Sequence, residues 1–395
     1  MFFKTYGKKT VAAILGASLI LSVAACGNED SGEDTSSESS LFEPITEVTE
    51  NTDKTDNSGD ADTTAETEEA ASSDEPYVLP EGMYISELTG EPISEELKDQ
   101  RPIAAMVDNE LTALPHYGTS EADVVYELMN STKNDRITRL MCIVKDWGSI
   151  EQLGSIRSTR PTNILLAAEW NAVLCHDGGP YYNDQYFARE WSAHFSGTFS
   201  RVNNGKATEF TEYIISGDLE SNFENYSSNA AYSTTYNEYA NEGSHFNFVN
   251  YGTELNLDEK YSNTYPATIV AIPFPHNQSQ LVYNSETKEY EYYEYDNRHE
   301  DAEDGEPLSF KNVILQKCSF TQLDENGYLV YNCIDPGQTG WYITNGTAKV
   351  IAWTKTSETA VTKYYDDNGD ELEINTGKTY IALVPDDTWD SITLQ

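Results

Sequence analysis

Hydrophobic positions along the chain fall first into short, continuous apolar runs. Residues 102–107, 137–144 and 171–175 are apolar on both faces, as strands of a sheet covered on both sides must be. Between them, residues 161–170 (PTNILLAAEW) read as a helix with proline at its first position, where the missing N–H is not needed. Residues 184–194 read as a second helix. Strands alternating with helices predict an α/β domain with a mixed sheet over residues 77–250.

The pattern then changes. Residues 251–395 are rich in Tyr, Val, Ile, Thr and Trp, with turn residues about every eight to twelve positions. Asn345-Gly346, between GWYIT and TAKVIAW, and Asp367-Asn368-Gly369, between TKYY and ELEI, are hairpin signals. This half is expected to be mostly antiparallel β. The boundary is placed in the Asn-, Ser- and Tyr-rich stretch 224–252, which has no clear periodicity.

Ahead of both lies a segment of another kind. Lys4, Lys8 and Lys9 precede an apolar run over residues 11–25 that is too short to span a bilayer, which is the layout of a signal peptide over residues 1–26. Its end, Val23-Ala24-Ala25-Cys26-Gly27, resembles the bacterial lipobox. That resemblance implies diacylation of Cys26 and anchoring at the outer face of the cytoplasmic membrane, since two acyl chains hold a protein stably. Residues 27–76 are almost all Ser, Thr, Glu, Asp, Asn, Gly and Ala, too polar to offset the entropy of ordering, so a disordered tether is expected. A coil of about 50 residues spans roughly 40 Å.

The formal net charge is −43. Residues 27–75 hold 17 acids against one lysine, and the remainder up to residue 395 is acidic as well. A chain without a basic surface cannot displace counterions from phosphate backbones, so nucleic acid is excluded as a partner. No cofactor motif is present. The six histidines show no HxxxH spacing and no CxxC occurs, so no metal site is assigned. Asp366–Asp370 has its glycine at the wrong position for an EF-hand loop and reads as a hairpin tip. With Cys26 committed to lipid, four cysteines remain, and export permits disulfides. The pairings expected within halves are Cys318 with Cys333 and Cys142 with Cys175.

Five segments occur in a fixed order: RPIAAMVDN (101–109), SEADVVYE (120–127), RITRL (136–140), LGSIRSTRP (153–161) and HDGG (176–179). Together with GWYITNGTAKVIAW and the YYDDNGDELEI stretch they resemble the YerB-like lipoprotein family of Gram-positive bacteria, a family of unknown function with a separate C-terminal domain. The resemblance covers nearly all of the body and implies no activity. Asp177, Pro180 and the segment ELTALPH after Asn109 depart from the family pattern and make the region more acidic, or smaller in hydrogen-bonding capacity.

Candidate ligand groups follow from the fold class, because open α/β sheets bind ligands beyond the carboxyl ends of their strands. Asp108 and Asn109 end one apolar run, and His176, Gly178 and Gly179 follow another. If the two strands are parallel neighbours these groups meet; the glycines serve equally as a bare turn. Arg157, Ser158 and Arg160 precede the helix at 161, where free N–H groups and guanidinium groups favour phosphate or carboxylate. Arg139 and Glu127 complete the set. The bland alternative is that Ser158 or Thr159 caps the helix and the arginines form internal ion pairs with acids such as Asp108. Cys175 and His176 point to opposite faces of a strand and make no dyad, and no nucleophile elbow surrounds any serine. No catalytic residue is assigned. Three function classes stay open: an envelope-facing binding or accessory lipoprotein with an anion or glycan pocket, an enzyme on a cell-wall or phosphorylated substrate, and a structural partner of a cell-wall protein machine.

Overall fold

The computed structural model describes residues 77–241 and 243–395; the expected signal segment, Cys26 and the tether lie outside the described residues. Eleven strands make one sheet. In chain order they are β1 (Ile103–Asp108), β2 (Val124–Met129), β3 (Thr138–Val144), β4 (Val173–His176), β5 (His194–Ser196), β6 (Thr264–Pro266), β7 (Asn312–Cys318), β8 (Asp335–Thr344), β9 (Thr347–Lys355), β10 (Lys363–Tyr365) and β11 (Thr379–Pro385). Their spatial order is β6-β9-β8-β7-β11-β2-β3-β1-β4-β5, with β10 also paired to β9.

The last of these strands closes the sheet. β11 lies between β7 and β2 and is parallel to both, Thr379 to Leu383 facing Val124 to Leu128. Residues before and after position 250, so different in composition, thus share one sheet. Every residue of β1, β2, β3 and β11 is buried, which accounts for the apolar runs that mark β1 and β3. The amino-terminal strands are mixed, with β1 antiparallel to β3 and parallel to β4. The carboxyl-terminal strands are mostly antiparallel. Asn345 and Gly346 both take positive φ, 50° and 74°, at the turn between β8 and β9, the geometry a two-residue hairpin needs. A second, six-stranded sheet built around Gln280–Asn284 and Glu289–Glu294 sends Leu281, Tyr290 and Tyr292 into the common core.

Three expectations require correction. The helix expected over 184–194 is a single turn, Asp184–Phe187, because residues 194–196 are claimed by parallel pairing with β4. The central strand β2 is absent from the apolar runs above, since Asp123 and Glu127 interrupt its pattern. Cys142 and Cys175 cannot pair: both are in register with Ala105 of β1, one on each side. Two strand spacings separate them, roughly 10 Å, beyond the ~7 Å limit for a bridge. All four described cysteines are buried free thiols. Cys318 and Cys333 do lie near one another; burial and then Cys333 raise the Cys318 thiol well above its ordinary pKa. Among the described residues no helix is long and apolar enough to cross a membrane.

Candidate functional site

Beyond Ala105, β4 no longer pairs with β1, and the segment after the strand Gln152–Gly154 takes over that edge. Asp108 donates its N–H to Ser155 O at 3.0 Å and Arg157 donates to Met106 O at 2.8 Å. This backbone pairing sets Arg157 beside Asp108, whose other neighbour is Arg139, opposite it on β3. Arg139 Nη2 reaches Asp108 Oδ1 at 3.2 Å and Arg157 Nε reaches Oδ2 at 2.8 Å. Burial alone would raise the Asp108 pKa, but the two guanidinium groups outweigh it and hold the carboxyl below its usual range.

Arg160 stands at the N-cap of the helix Pro161–Glu169. Asn163 Oδ1 accepts the Arg160 N–H at 3.2 Å, so neither Ser158 nor Thr159 caps the helix. The Ser158 hydroxyl instead accepts from Arg139 at 2.9 Å and from Arg160 at 3.2 Å. Arg160 also donates to the carbonyls of Asn130 and Thr159, at 2.9 and 2.8 Å, and lies over the Tyr328 ring at 4.7 Å. It is 7 % exposed, and among the described residues no carboxylate pairs with it. Burial, then the neighbouring Arg139, push its pKa down to about 9. Arg139 Nε is buried without an acceptor. These side chains, with Lys133, Glu110 and Glu209, line a cleft of about 640 Å³. Four cations against three acids give it a positive excess in a chain of formal charge −43.

The structure therefore brings together Asp108, Arg139, Arg157, Ser158 and Arg160, and sends the other candidates elsewhere. Glu127 is fully buried between the halves, accepting from Thr138 Oγ1 at 2.6 Å, from Ser279 Oγ at 2.7 Å and from the Tyr380 hydroxyl. Burial raises its pKa. Asn109 joins the same network, donating to Thr138 Oγ1 at 3.0 Å and Tyr292 at 3.3 Å. Neither lines the cleft. β1 and β4 are parallel neighbours, as the meeting of Asp108 with His176 required. Even so, His176 turns toward His194 at 3.0 Å and Gly178 O at 2.8 Å; burial and His194 lower its pKa to about 4. Gly178, at φ 75°, and Gly179, whose Cβ position would sit 2.3 Å from Asn183 Nδ2, make the turn and pack it. They serve the loop that supports residues 157–159, with Thr159 N–H donating to Gly178 O at 3.2 Å.

A second polar cluster escaped the sequence. His116, Glu294 and His299 are buried together, although 178 residues separate His116 from Glu294. No spacing rule could have joined them; the one hint, the position of His116 in the loop that follows an apolar run, is too common to select it.

Residues 88–232 match the N-terminal domain, and residues 270–381 the C-terminal domain, of a family described as a protein of unknown function, DUF3048. The chain belongs to this family. The two matched domains fall on either side of position 250 and meet at the β11–β2 seam of the sheet. The chain is 24 % identical over 308 residues to YerB of Bacillus subtilis strain 168, which is named as a lipoprotein; the match covers 76 % of this chain and 86 % of that protein. A crystal structure of YerB from Bacillus subtilis superimposes with a TM-score of 0.65 at 20 % identity, covering 79 % of this chain and 99 % of that one. At that identity the likeness concerns the fold.

Proposed function

We propose that this DUF3048 protein is an extracytoplasmic lipoprotein of the cell envelope, anchored through Cys26, that binds an anionic group in the cleft formed by Arg139, Arg157 and Arg160. The lipobox-like sequence at residues 23–27 and the lipoprotein name carried by YerB support the anchor. The observation that carries the binding reading is Arg160: a buried guanidinium supplied only with neutral acceptors, beside two more arginines that share one buried aspartate. A charge taken from water is retained at a cost of several kcal/mol unless a counter-charge meets it. A phosphate or carboxylate on an envelope glycan or related metabolite is a ligand of the right chemistry, because guanidinium forks match both.

The test compares thermal unfolding of the protein in sodium phosphate and in sodium chloride at equal ionic strength. Specific binding raises the melting temperature in phosphate beyond the chloride control and does so saturably. A response that tracks ionic strength alone would remove the reading. The cleft offers no nucleophile paired with a base, so binding is favoured over turnover.

A further inference from the structure

His116 comes from the loop after β1, Glu294 from the end of the strand Glu289–Glu294, and His299 from just past the short strand Asn297–Arg298 that pairs back onto it. Each offers a nitrogen or carboxylate oxygen within 4.8 Å of those of the other two. The three are 0 %, 1 % and 4 % exposed. Their hydrogen bonds fix the tautomers. His116 Nε2 lies 2.6 Å from Asp108 O; a carbonyl only accepts, so the proton is on Nε2 and Nδ1 presents a bare lone pair. That Nδ1 is buried and has no partner.

His299 Nε2 lies 3.1 Å from Thr119 Oγ1, and this hydroxyl is 3.2 Å from Asp301 Oδ2. An ionised carboxylate is the stronger acceptor, so the hydroxyl donates to Asp301 and accepts from His299 Nε2–H. Asp301 is itself held by the N–H groups of Gly118, Ser120 and Glu303. In a neutral ring His299 Nδ1 is then bare as well, 2.9 Å from Glu294 Oε1, and Glu294 Oε2 has no partner. Two imidazole lone pairs and a carboxylate face one another, shielded from water, with no donor among them. Such a set repels itself unless a positive charge sits within it.

We propose that His116 Nδ1, His299 Nδ1 and Glu294 hold a divalent transition-metal ion that fastens the two halves of the chain together. Two imidazoles and a carboxylate suit zinc, a redox-inert ion of borderline softness. The second nitrogen of each histidine is engaged by a backbone carbonyl or by the Thr119–Asp301 pair, which is the outer shell that orients metal-binding imidazoles. Near-complete burial of all three side chains leaves no open position for a substrate, and Glu294 Oε2, buried without a partner, can close the fourth position of a structural site. The rival occupant is a proton held between Glu294 Oε1 and His299 Nδ1, 2.9 Å apart.

The full-length protein, produced with zinc in the medium and passed into metal-free buffer, is measured by plasma mass spectrometry. About one zinc per chain is expected, lost in His116→Gln and in Glu294→Gln. Thr119→Val keeps all three ligands but removes the relay, and should weaken zinc affinity by about tenfold or more. Cobalt added to metal-stripped wild type should give the visible d–d bands of a low-symmetry nitrogen–oxygen site, a signature that does not depend on any variant folding. Wild type that holds less than about a tenth of an equivalent, and shows no cobalt bands, overturns the proposal and assigns the proton. Retention of a full equivalent by folded His116→Gln overturns it too, since the ion would then lie elsewhere.

Discussion

Replacing Arg160 by methionine separates a ligand group from a structural one. The side chain keeps its packing length, and the charge goes. In wild type Arg160 gives three hydrogen bonds to neutral oxygens, of Asn130, Ser158 and Thr159. Thr159 O retains a second donor, Asn183 Nδ2 at 3.2 Å, and the Ser158 hydroxyl retains Arg139. The variant therefore strips a partner chiefly from the Asn130 carbonyl, a loss of about 1–3 kcal/mol. Relief of repulsion from Arg139 and of the desolvation of a buried cation offsets part of it. Arg139→Met is different. It leaves Asp108, 2 % exposed, with one guanidinium instead of two, and should lose roughly 3–5 kcal/mol, the scale for breaking a buried pair. Urea unfolding of the three proteins, in chloride and in phosphate, reads both quantities. The expected order of stability in chloride is wild type, then Arg160→Met close behind, then Arg139→Met. In phosphate at about 100 times its Kd, wild type should gain roughly 2.7 kcal/mol and Arg160→Met much less. Equal losses for the two variants, or an undiminished phosphate gain in Arg160→Met, would refute the assignment of Arg160 as an anion ligand. Arg160 is buried, so a loss of zero is not expected either.

Cys26→Ser should abolish incorporation of labelled fatty acid while the body retains its circular dichroism; equal labelling of wild type and Cys26→Ser would remove the lipobox assignment. Burial raises the Asp123 pKa from 3.8 to about 6, so this carboxyl favours the fold fully below pH 3.8 and the contribution disappears as pH rises through about 6. Asp123→Asn keeps an oxygen for the Lys145 N–H, now 2.7 Å away, and should flatten the stability profile over that window, by at most about 3 kcal/mol; a wild-type profile without that slope would contradict the shift. Peptide mapping without reductant should find Cys142 and Cys175 unbridged under any oxidant that leaves the protein folded, while any bridge among the described cysteines is expected between the neighbours Cys318 and Cys333; a bridge between Cys142 and Cys175 would contradict the strand order.

The parts of the fold that sequence reveals are those where one local rule decides. β1, β3 and β4 show as apolar runs because both their faces are buried, and the turn at Asn345-Gly346 shows because two successive positive φ values demand those residues. β2 hides, although it is equally buried, because Glu127 sits in its centre. That acid is tolerated only through three hydroxyls, from Thr138, Ser279 and Tyr380, the last 253 residues away. The same division explains how the two halves join. Nothing in residues 379–385 indicates that they pair with residues 124–128, since parallel partners are chosen by shape in three dimensions rather than by a turn.

The site divides along the same line. Asp108, Arg157, Ser158 and Arg160 could be singled out because each lies at the end of a recognisable strand or the start of a recognisable helix, where ligands meet backbone. Arg139 joins them through register: it stands opposite Asp108, as a residue five places before the end of the β3 run can be expected to do only once that run is known to be antiparallel to β1. Asn109 and Glu127 were drawn in by the same reasoning and belong instead to the network between the halves. At Asn109 the deciding fact is one residue of phase. Asp108 and Asn109 point to opposite faces of the strand end, so one meets the arginines and the other meets Thr138 and Tyr292. The backbone carbonyl of Asp108 carries the same alternation further, reaching His116 and hence the histidine–glutamate cluster. A ligand that moves the Asp108 carboxyl in the cleft would therefore be felt at His116 through a single peptide unit, which gives occupation of the arginine cleft a short physical route to the contact between the two halves.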